Sequence, residues 1–457
     1  MSNPQEIHNQ QRQFFRSYST LSEDFRRTQL IRLREWIASH EPEIRKALFE
    51  DLHKSEAETF ITEIAFCFDE IDFALKNLKR WMKPKKVKTS LTYQPSTSWI
   101  HPEPLGLVLI LGPWNYPFQL IIAPLVAAIA AGNCAVLKPS ELAPATSNLL
   151  KKLCDEIFEP RFVTTVEGDA ALSTSLLALK WDHIFFTGGT QIGRIILEAA
   201  AKHLTPVTLE LGGKTPCIVD GECDFEVTVR RIIWGKFMNS GQTCVAPDYV
   251  LLPAGMRGQF VEQAKLEIEK FFGSDPAKSP DYSRIVSQKH LARLKSLLEG
   301  GPQVAVGGVV QSEEKYFSPT LLVDVEWSHP VMQGEIFGPV LPVLEYGTLN
   351  EVIELVNSQP KPLALYFFSK SKERTDEVLK KCSFGGGCVN DVLIHLGNPR
   401  LPFGGVGPSG MGAYHGETGF RTFSHYKSVV RRNFIFDFAF RYPPYKEKLK
   451  LLRRLLG

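Results

Sequence analysis

A chain of 457 residues is too long for one ordinary core, so two or three domains are expected. Hydrophobic residues make up 44% and charged residues 23%, with a net charge of +3; this excludes a disordered chain and any bulk charge bias toward nucleic acid or an acidic partner. The 8 cysteines are scattered, with no CxxC pair and no metal-site spacing. That usage, with no signal sequence, predicts a reducing, cytoplasmic setting and no structural metal.

Residues 1–82 read as helices, with Leu30, Leu33, Ile37, then Ile44, Leu48 and Leu52 spaced three or four apart. The stretch 83–104, KPKKVKTSLTYQPSTSWIHPEP, is basic and rich in Thr and Tyr; a solvated loop and an extended arm that pairs with another subunit both fit it. From 105 onward strands and helices alternate. LGLVLILGP, GNCAVLKPS, FVTTVEG and WDHIFFTGG read as strands, and PVTLELGGKTPCIV closes the series. Helices fall between them at 119–131, at PATSNLLKKLCDEIF and at TQIGRIILEAAAKHL. Apolar strands alternating with helices predict a doubly wound α/β sheet covered on both faces. The longest apolar run, LIIAPLVAAIAAG (120–132), is too short to span a membrane, contains Pro124, and reads as a buried helix. A second α/β series begins near 224, so two units meet near 212. The segment from 420, GFRTFSHYKSVVRRNFIFDFAFRYPP, reads as strand, and the basic tail YKEKLKLLRRLLG as an amphipathic helix. Packing of that tail on the body and contact with an anionic lipid surface both fit.

Five short stretches carry candidate chemistry. FFTGGTQIG (185–193) sets Gly188, Gly189 and Gly193 between a strand and a helix, where backbone N–H groups can meet an anionic group; a plain strand–helix turn explains it equally well. VLKPSE puts Lys138 and Glu141 past a strand end, where a carboxylate can accept both ribose hydroxyls of a dinucleotide; the competing reading is a helix start capped by Ser140. KFMNSGQTCVAPDYV surrounds Cys244 with small and polar residues that admit a substrate, although a lone cysteine is more often a small core hydrophobe. Glu210 ends an apolar strand in TLELGGK, where desolvation would raise its pKa toward that of a general base; the alternative is an ion pair with Lys214. Asn115 in GPWNYP either donates to an oxyanion or serves a turn.

Together GPWNYP, LKPSE, FTGGTQIG, LELGGKTP, NSGQTCVAPDYV, QGEIFGPVLPV, CVND and LPFGGVGPSGMGAYHGETGFRTFSHYKSV resemble the aldehyde dehydrogenase superfamily, and its class 3 branch in particular, across nearly the whole chain. The resemblance implies Cys244 as the nucleophile that forms a thiohemiacetal and then a thioester. It implies Asn115 and the Cys244 N–H as oxyanion donors, and Glu210 as the base that activates water. It further implies Glu335 as the ligand of the nicotinamide ribose, Phe337 near the nicotinamide, and Lys138 and Glu141 on the adenosine ribose. Gly189 stands where many relatives carry Ser or Asn, which puts one pyrophosphate contact in doubt. The implied architecture is an NAD-binding domain (1–82 and 105–212), a catalytic domain (213–412), an oligomerisation arm (83–104 and 420–435) and a tail (436–457). The implied partners are an aldehyde, medium-chain aliphatic or aromatic, and a second copy of the chain in a homodimer. NAD is the expected cofactor, with NADP admitted. Two other functions stay open on sequence: acyl transfer to coenzyme A, and a catalytically silent binding protein of the same fold.

Overall fold

The computed structural model describes residues 3–446 and 448–456. Helices Pro4–Arg16, Glu23–Ser39 and Glu41–Leu52 lead into a long helical run, Glu56–Thr59 and Ala65–Met82, interrupted by a π-turn at Phe60–Ile64. The heptad-like apolar positions Leu30, Leu33, Ile37, Ile44, Leu48 and Leu52 are all fully buried, as their spacing requires.

The first sheet has six strands. Cys134–Lys138, Leu107–Leu111, His183–Thr187 and Val207–Glu210 run parallel through its centre, Val163–Thr165 forms one edge, and Gly410–Met411 returns antiparallel at the other. Leu107–Leu111 is buried along its whole length, because helices cover both faces. Gln119–Ala131 is buried on every side and packs against Ala65–Met82. That all-round burial explains its uniformly apolar sequence, and among the described residues no helix is long and apolar enough to cross a membrane.

The second sheet has seven strands, parallel except for the edge strand Gln303–Val306. Pro216–Val219 lies within it, between Tyr249–Pro253 and Ala364–Phe368. The run PVTLELGGKTPCIV thus splits between the two sheets at Gly212–Gly213, rather than closing one series. A third, three-stranded sheet joins Lys85–Val87, Ser96–Pro104 and Ser424–Arg432 antiparallel. Its last strand starts later than its aromatic sequence suggests, because Gly416–Thr422 is a helix whose Phe420 and neighbouring Phe423 are core residues. The strand also ends at Arg432, before the remaining aromatics. The C-terminal basic segment is helical over Leu449–Leu456. Glu447, Gly457 and the side chains of Leu451, Leu452, Leu455 and Leu456 lie outside the described residues, and with them the amphipathic reading of that tail.

Candidate active site

The central strands of the first sheet end at one edge, where open parallel sheets present their ligands. Asn115 follows Leu107–Leu111, Lys138 ends Cys134–Lys138, Gly188 follows His183–Thr187, and Glu210 ends Val207–Glu210. Glu210 pairs in register with Thr187 and Gly410, and its carbonyl accepts from the N–H of Gly188 at 2.9 Å. Its carboxylate is buried and neither oxygen has a hydrogen-bond partner. Desolvation alone pushes it well above the ordinary glutamate range, as its strand-end position predicts. Pairing with Lys214 does not occur. Lys214 Nζ instead meets Asp248 Oδ2 at 2.6 Å and donates to the carbonyls of Val331 (2.8 Å) and Gly334 (3.1 Å). The two glycines after Glu210 carry the chain across to the second sheet, and Lys214 goes with it.

Cys244 sits in a loop between Phe225–Phe237 and Tyr249–Pro253. Asn239, Ser240 and Gly241 before it are all left-handed, with φ of 51°, 50° and 71°. A Cβ on Gly241 would fall 2.3 Å from the Gly338 carbonyl, so the tight approach there requires glycine. Two non-glycine residues at positive φ cost about 1–3 kcal/mol each and persist only where neighbours hold them. Here Gln242 does so: its side chain donates to the carbonyls of Asn239 (3.1 Å) and Arg284 (3.0 Å) and accepts from Val286 N–H (3.0 Å). The Asn115 amide donates to the Gln242 carbonyl at 2.9 Å, which ties the two loops together. An amide has two donors, so one N–H of Asn115 is left for another acceptor. Cys244 is partly exposed, and the N–H groups of Cys244 and Val245 point at its sulfur. Burial, then the charges of Glu335 and Glu210, push the thiol far above its ordinary value. Both effects favour the protonated thiol over the thiolate.

A cavity of about 200 Å³ opens onto Cys244. Phe66, Tyr116, Trp234, Leu393, Phe403 and Tyr414 make its walls largely apolar, and His415, held by Glu70 at 2.9 Å, is a polar exception. Most of these walls come from segments far apart in the chain, and no local pattern in the sequence marks them as one surface.

The candidate cofactor residues lie at the strand ends of the first sheet and over Gly212. Lys138 Nζ meets Glu141 Oε2 at 2.8 Å, so the structure brings these two together. The Ser140 cap does not form; the next helix starts at Pro144 with Ala143 at its N-cap, and Ser140 Oγ accepts from Leu142 N–H inside a turn. Gly189 is the N-cap of Thr190–Ala201, with no side chain to cap it and open space where a Cβ would stand. Gly193 packs that helix on the strand series, since a Cβ there would meet Leu211 at 2.8 Å. Glu335 lies over Gly212, whose Cβ would collide with the carboxylate; it is pushed up to about 8 by burial and by Asp248, and its Oε1 has no partner. Phe337, at φ 49°, sets its ring edge-on to Trp114 at 5.2 Å.

The backbone around Glu335 is anchored by residues that sequence reasoning passed over. Asp248 Oδ1 accepts from Ile336 N–H at 3.0 Å, Arg293 donates to the Ile336 carbonyl at 2.6 Å, and Lys214 holds the carbonyls just before. The buried Lys236, lowered to about 8 by desolvation, also lies near Asp248 and Glu335. Lys214 and Asp248 stand inside the quoted blocks LELGGKTP and NSGQTCVAPDYV, but only folding shows that they pair. These features fit a dinucleotide: an uncapped helix N-terminus with open space, a carboxylate at a strand end, and a buried carboxylate oxygen still lacking a partner.

The aldehyde dehydrogenase family profile matches residues 4–429. The aldehyde dehydrogenase family 3 member H1 of Arabidopsis thaliana is 49% identical over 438 residues, covering 95% of this chain and 90% of the relative. The dimeric NADP-preferring aldehyde dehydrogenase of Canis lupus familiaris is 45% identical over 451 residues, covering 98% and 99%. A substrate-bound Staphylococcus aureus AldH structure superposes with a TM-score of 0.97 at 43% identity, covering 100% of both chains. A thiol lining an apolar cavity, an uncapped helix N-terminus at the strand ends of the first sheet and likeness along almost the full length lead to one conclusion: the chain belongs to the aldehyde dehydrogenase family and is an NAD(P)-dependent enzyme that oxidises an aldehyde.

Proposed function

We propose that Cys244 is the nucleophile, Asn115 an oxyanion donor and Glu210 the hydrolytic base. The observation that carries this reading is a partly exposed thiol lining the cavity, electrostatically coupled to a buried carboxylate that has no hydrogen-bond partner. The Cys244 thiol gives up its proton to solvent, the first of the two protons released overall; its sulfur adds to the aldehyde carbon, and the carbonyl oxygen takes the negative charge. The free Asn115 N–H and the Cys244 N–H stabilise that oxygen. When bound, the dinucleotide supplies an acceptor for the hydride that this adduct gives up, leaving a thioester on Cys244. Glu210 removes a proton from water, the hydroxide attacks the thioester, and the carbon–sulfur bond breaks to release the acid. In sum, aldehyde, water and NAD(P)⁺ become carboxylate, NAD(P)H and two protons.

Glu335 and Phe337 hold the nicotinamide half, Lys138 and Glu141 the adenosine ribose, and the turn of Gly188, Gly189 and Gly193 the pyrophosphate. Glu141 favours NAD; the name of the dog relative supports use of NADP as well. Residues 1–82 and 105–212 act as the cofactor domain, 213–412 as the catalytic domain, and 83–104 with 420–435 as the arm of a homodimer. The three-stranded sheet, with its exposed edge strand Ser424–Arg432, and the dimeric name of that relative support the last assignment. The aromatic, largely apolar cavity supports a medium-chain aliphatic or aromatic aldehyde. The exposed Phe434, Ile435 and Phe436 beside Arg431 and Arg432 support peripheral contact of the C-terminal region with an anionic membrane surface. The free thiols support work in the cytoplasm.

The test is to quench the enzyme during turnover and find the acyl group by peptide mass spectrometry. Acylated Cys244 is expected. Turnover with the acyl group on another residue, and Cys244 unmodified, overturns the reading. With coenzyme A added, the product stays a free acid; an acyl-CoA product would replace water as the acceptor.

A further inference from the structure

Lys54 and Glu63 form an ion pair with no solvent exposure on either side chain, at 2.6 Å. Nothing in the reaction described above uses it. A fully buried pair is weak evidence for stability, because desolvation offsets its attraction. What it touches is specific. Lys54 Nζ donates to the Asn115 carbonyl at 3.0 Å and stands 3.9 Å from the centre of the Tyr116 ring. Glu63 Oε2 accepts from the N–H groups of Phe118 (3.2 Å) and Gln119 (2.8 Å), which start the buried helix Gln119–Ala131. Each end of the turn 115–119 is therefore bonded to one member of the pair. Tyr116 in turn bonds Thr243, next to Cys244, at 2.6 Å. The Asn115 carbonyl takes a second donor, the Asn239 side chain, at 2.8 Å.

Glu63 lies in the π-turn Phe60–Ile64, and its neighbours Ile61 and Thr62 line the substrate cavity. Such single-turn bulges re-aim side chains and recur at functional sites. Here the bulge sends Glu63 inward to Lys54 while the preceding two residues face the cavity.

We infer that the Lys54–Glu63 pair is a positioning device, which fixes the turn 115–119 so that the free N–H of Asn115 meets the oxyanion formed at Cys244. The inference rests on the proposed role of Asn115. Lys54 and Glu63 do not touch the reacting atoms; they act through Asn115, by fixing its backbone from both ends.

Two reactions of the same thiol separate this role from a general loosening of the fold. A nitrophenyl ester acylates Cys244 through a tetrahedral oxyanion and expels nitrophenolate. Iodoacetamide alkylates it by displacing iodide, with no oxyanion. The double variant Lys54→Met/Glu63→Gln removes both charges of the pair together; the nearby Glu58 carboxyl, already raised to about 7 by burial, then loses the attraction of Lys54 and stays in its neutral form. It is expected to slow nitrophenolate release by about 10- to 100-fold, less than the roughly 10²- to 10³-fold for losing an oxyanion donor outright because the donor is misplaced and not removed, and to leave alkylation within about twofold. Asn115→Ala is expected to show the same selectivity, and joining it to the double variant should add little. Equal slowing of both reactions by the double variant, or fully multiplying effects with Asn115→Ala, overturns the inference while the role of Asn115 stands. Undiminished acylation by Asn115→Ala removes that role instead. If the double variant does not fold, Glu63→Gln alone, which keeps an acceptor for both N–H groups, must show the same selective slowing, and equal slowing of both reactions again overturns the inference.

Discussion

Glu210→Gln keeps the side chain's shape and removes its charge. The carboxylate has no hydrogen bond to lose, so the substitution leaves no partner stranded and the fold should tolerate it. A positioned general base contributes about 10²- to 10⁴-fold, which at 1.36 kcal/mol per decade is about 2.7–5.5 kcal/mol of barrier. That loss should fall on thioester hydrolysis alone. Acylation should hold or quicken, because burial is the main cause that raises the Cys244 thiol and Glu210, when ionised, only adds to it. Rapid mixing with aldehyde and NAD should show one NADH per site at the parent rate or faster, then a steady rate about 10²- to 10⁴-fold lower. The pH profile carries a second signature. Desolvation holds Glu210 well above 4.5, so the parent's hydrolytic rate rises with pH as that carboxyl loses its proton. The variant should lose this limb. A steady rate equal to the parent's, or a burst that falls together with the steady rate, would refute Glu210 as the base.

Lys214→Met removes the ion-pair partner of Asp248, a nearly buried carboxylate left with Ile336 N–H and the nearby Lys236, and takes a donor from the Val331 and Gly334 carbonyls. A destabilisation of about 3–5 kcal/mol is expected in chemical denaturation, with partial recovery in Lys214→Met/Asp248→Asn. Glu335 has a folded value raised from 4.5 to about 8, so its protonated form adds stability that is complete below pH 4.5 and lost as pH rises through 8. The unliganded protein's thermal midpoint should fall across that window, and Glu335→Gln should flatten the fall. Gly189→Ser adds a cap to Thr190–Ala201 in open space; a gain of a few tenths of a kcal/mol in stability and tighter dinucleotide binding by calorimetry are expected.

Much of the architecture is legible in the chain because its physics is local. Strands buried on both faces, such as Leu107–Leu111, are continuous apolar runs, and the helices between them keep a 3.6-residue period. Glu210 was readable as a desolvated acid from its place at the end of such a run. Cys244 was not readable from its neighbours alone; its weight came from eight blocks in order, since a lone thiol among small residues has no local mark of reactivity.

What tertiary structure alone decided is who meets whom. Lys214 passes the nearby Glu210 and pairs with Asp248, 34 residues away. Pro216–Val219 leaves the series it follows and joins the other sheet. Lys54 and Glu63 hold a turn more than fifty residues downstream. Cavity walls from residues 61 to 415 face one sulfur. Periodicity and propensity act between residues a few positions apart, so a sequence displays them directly. Ion pairs, desolvation and cavity shape depend on distances through space, and those exist only once the chain has packed.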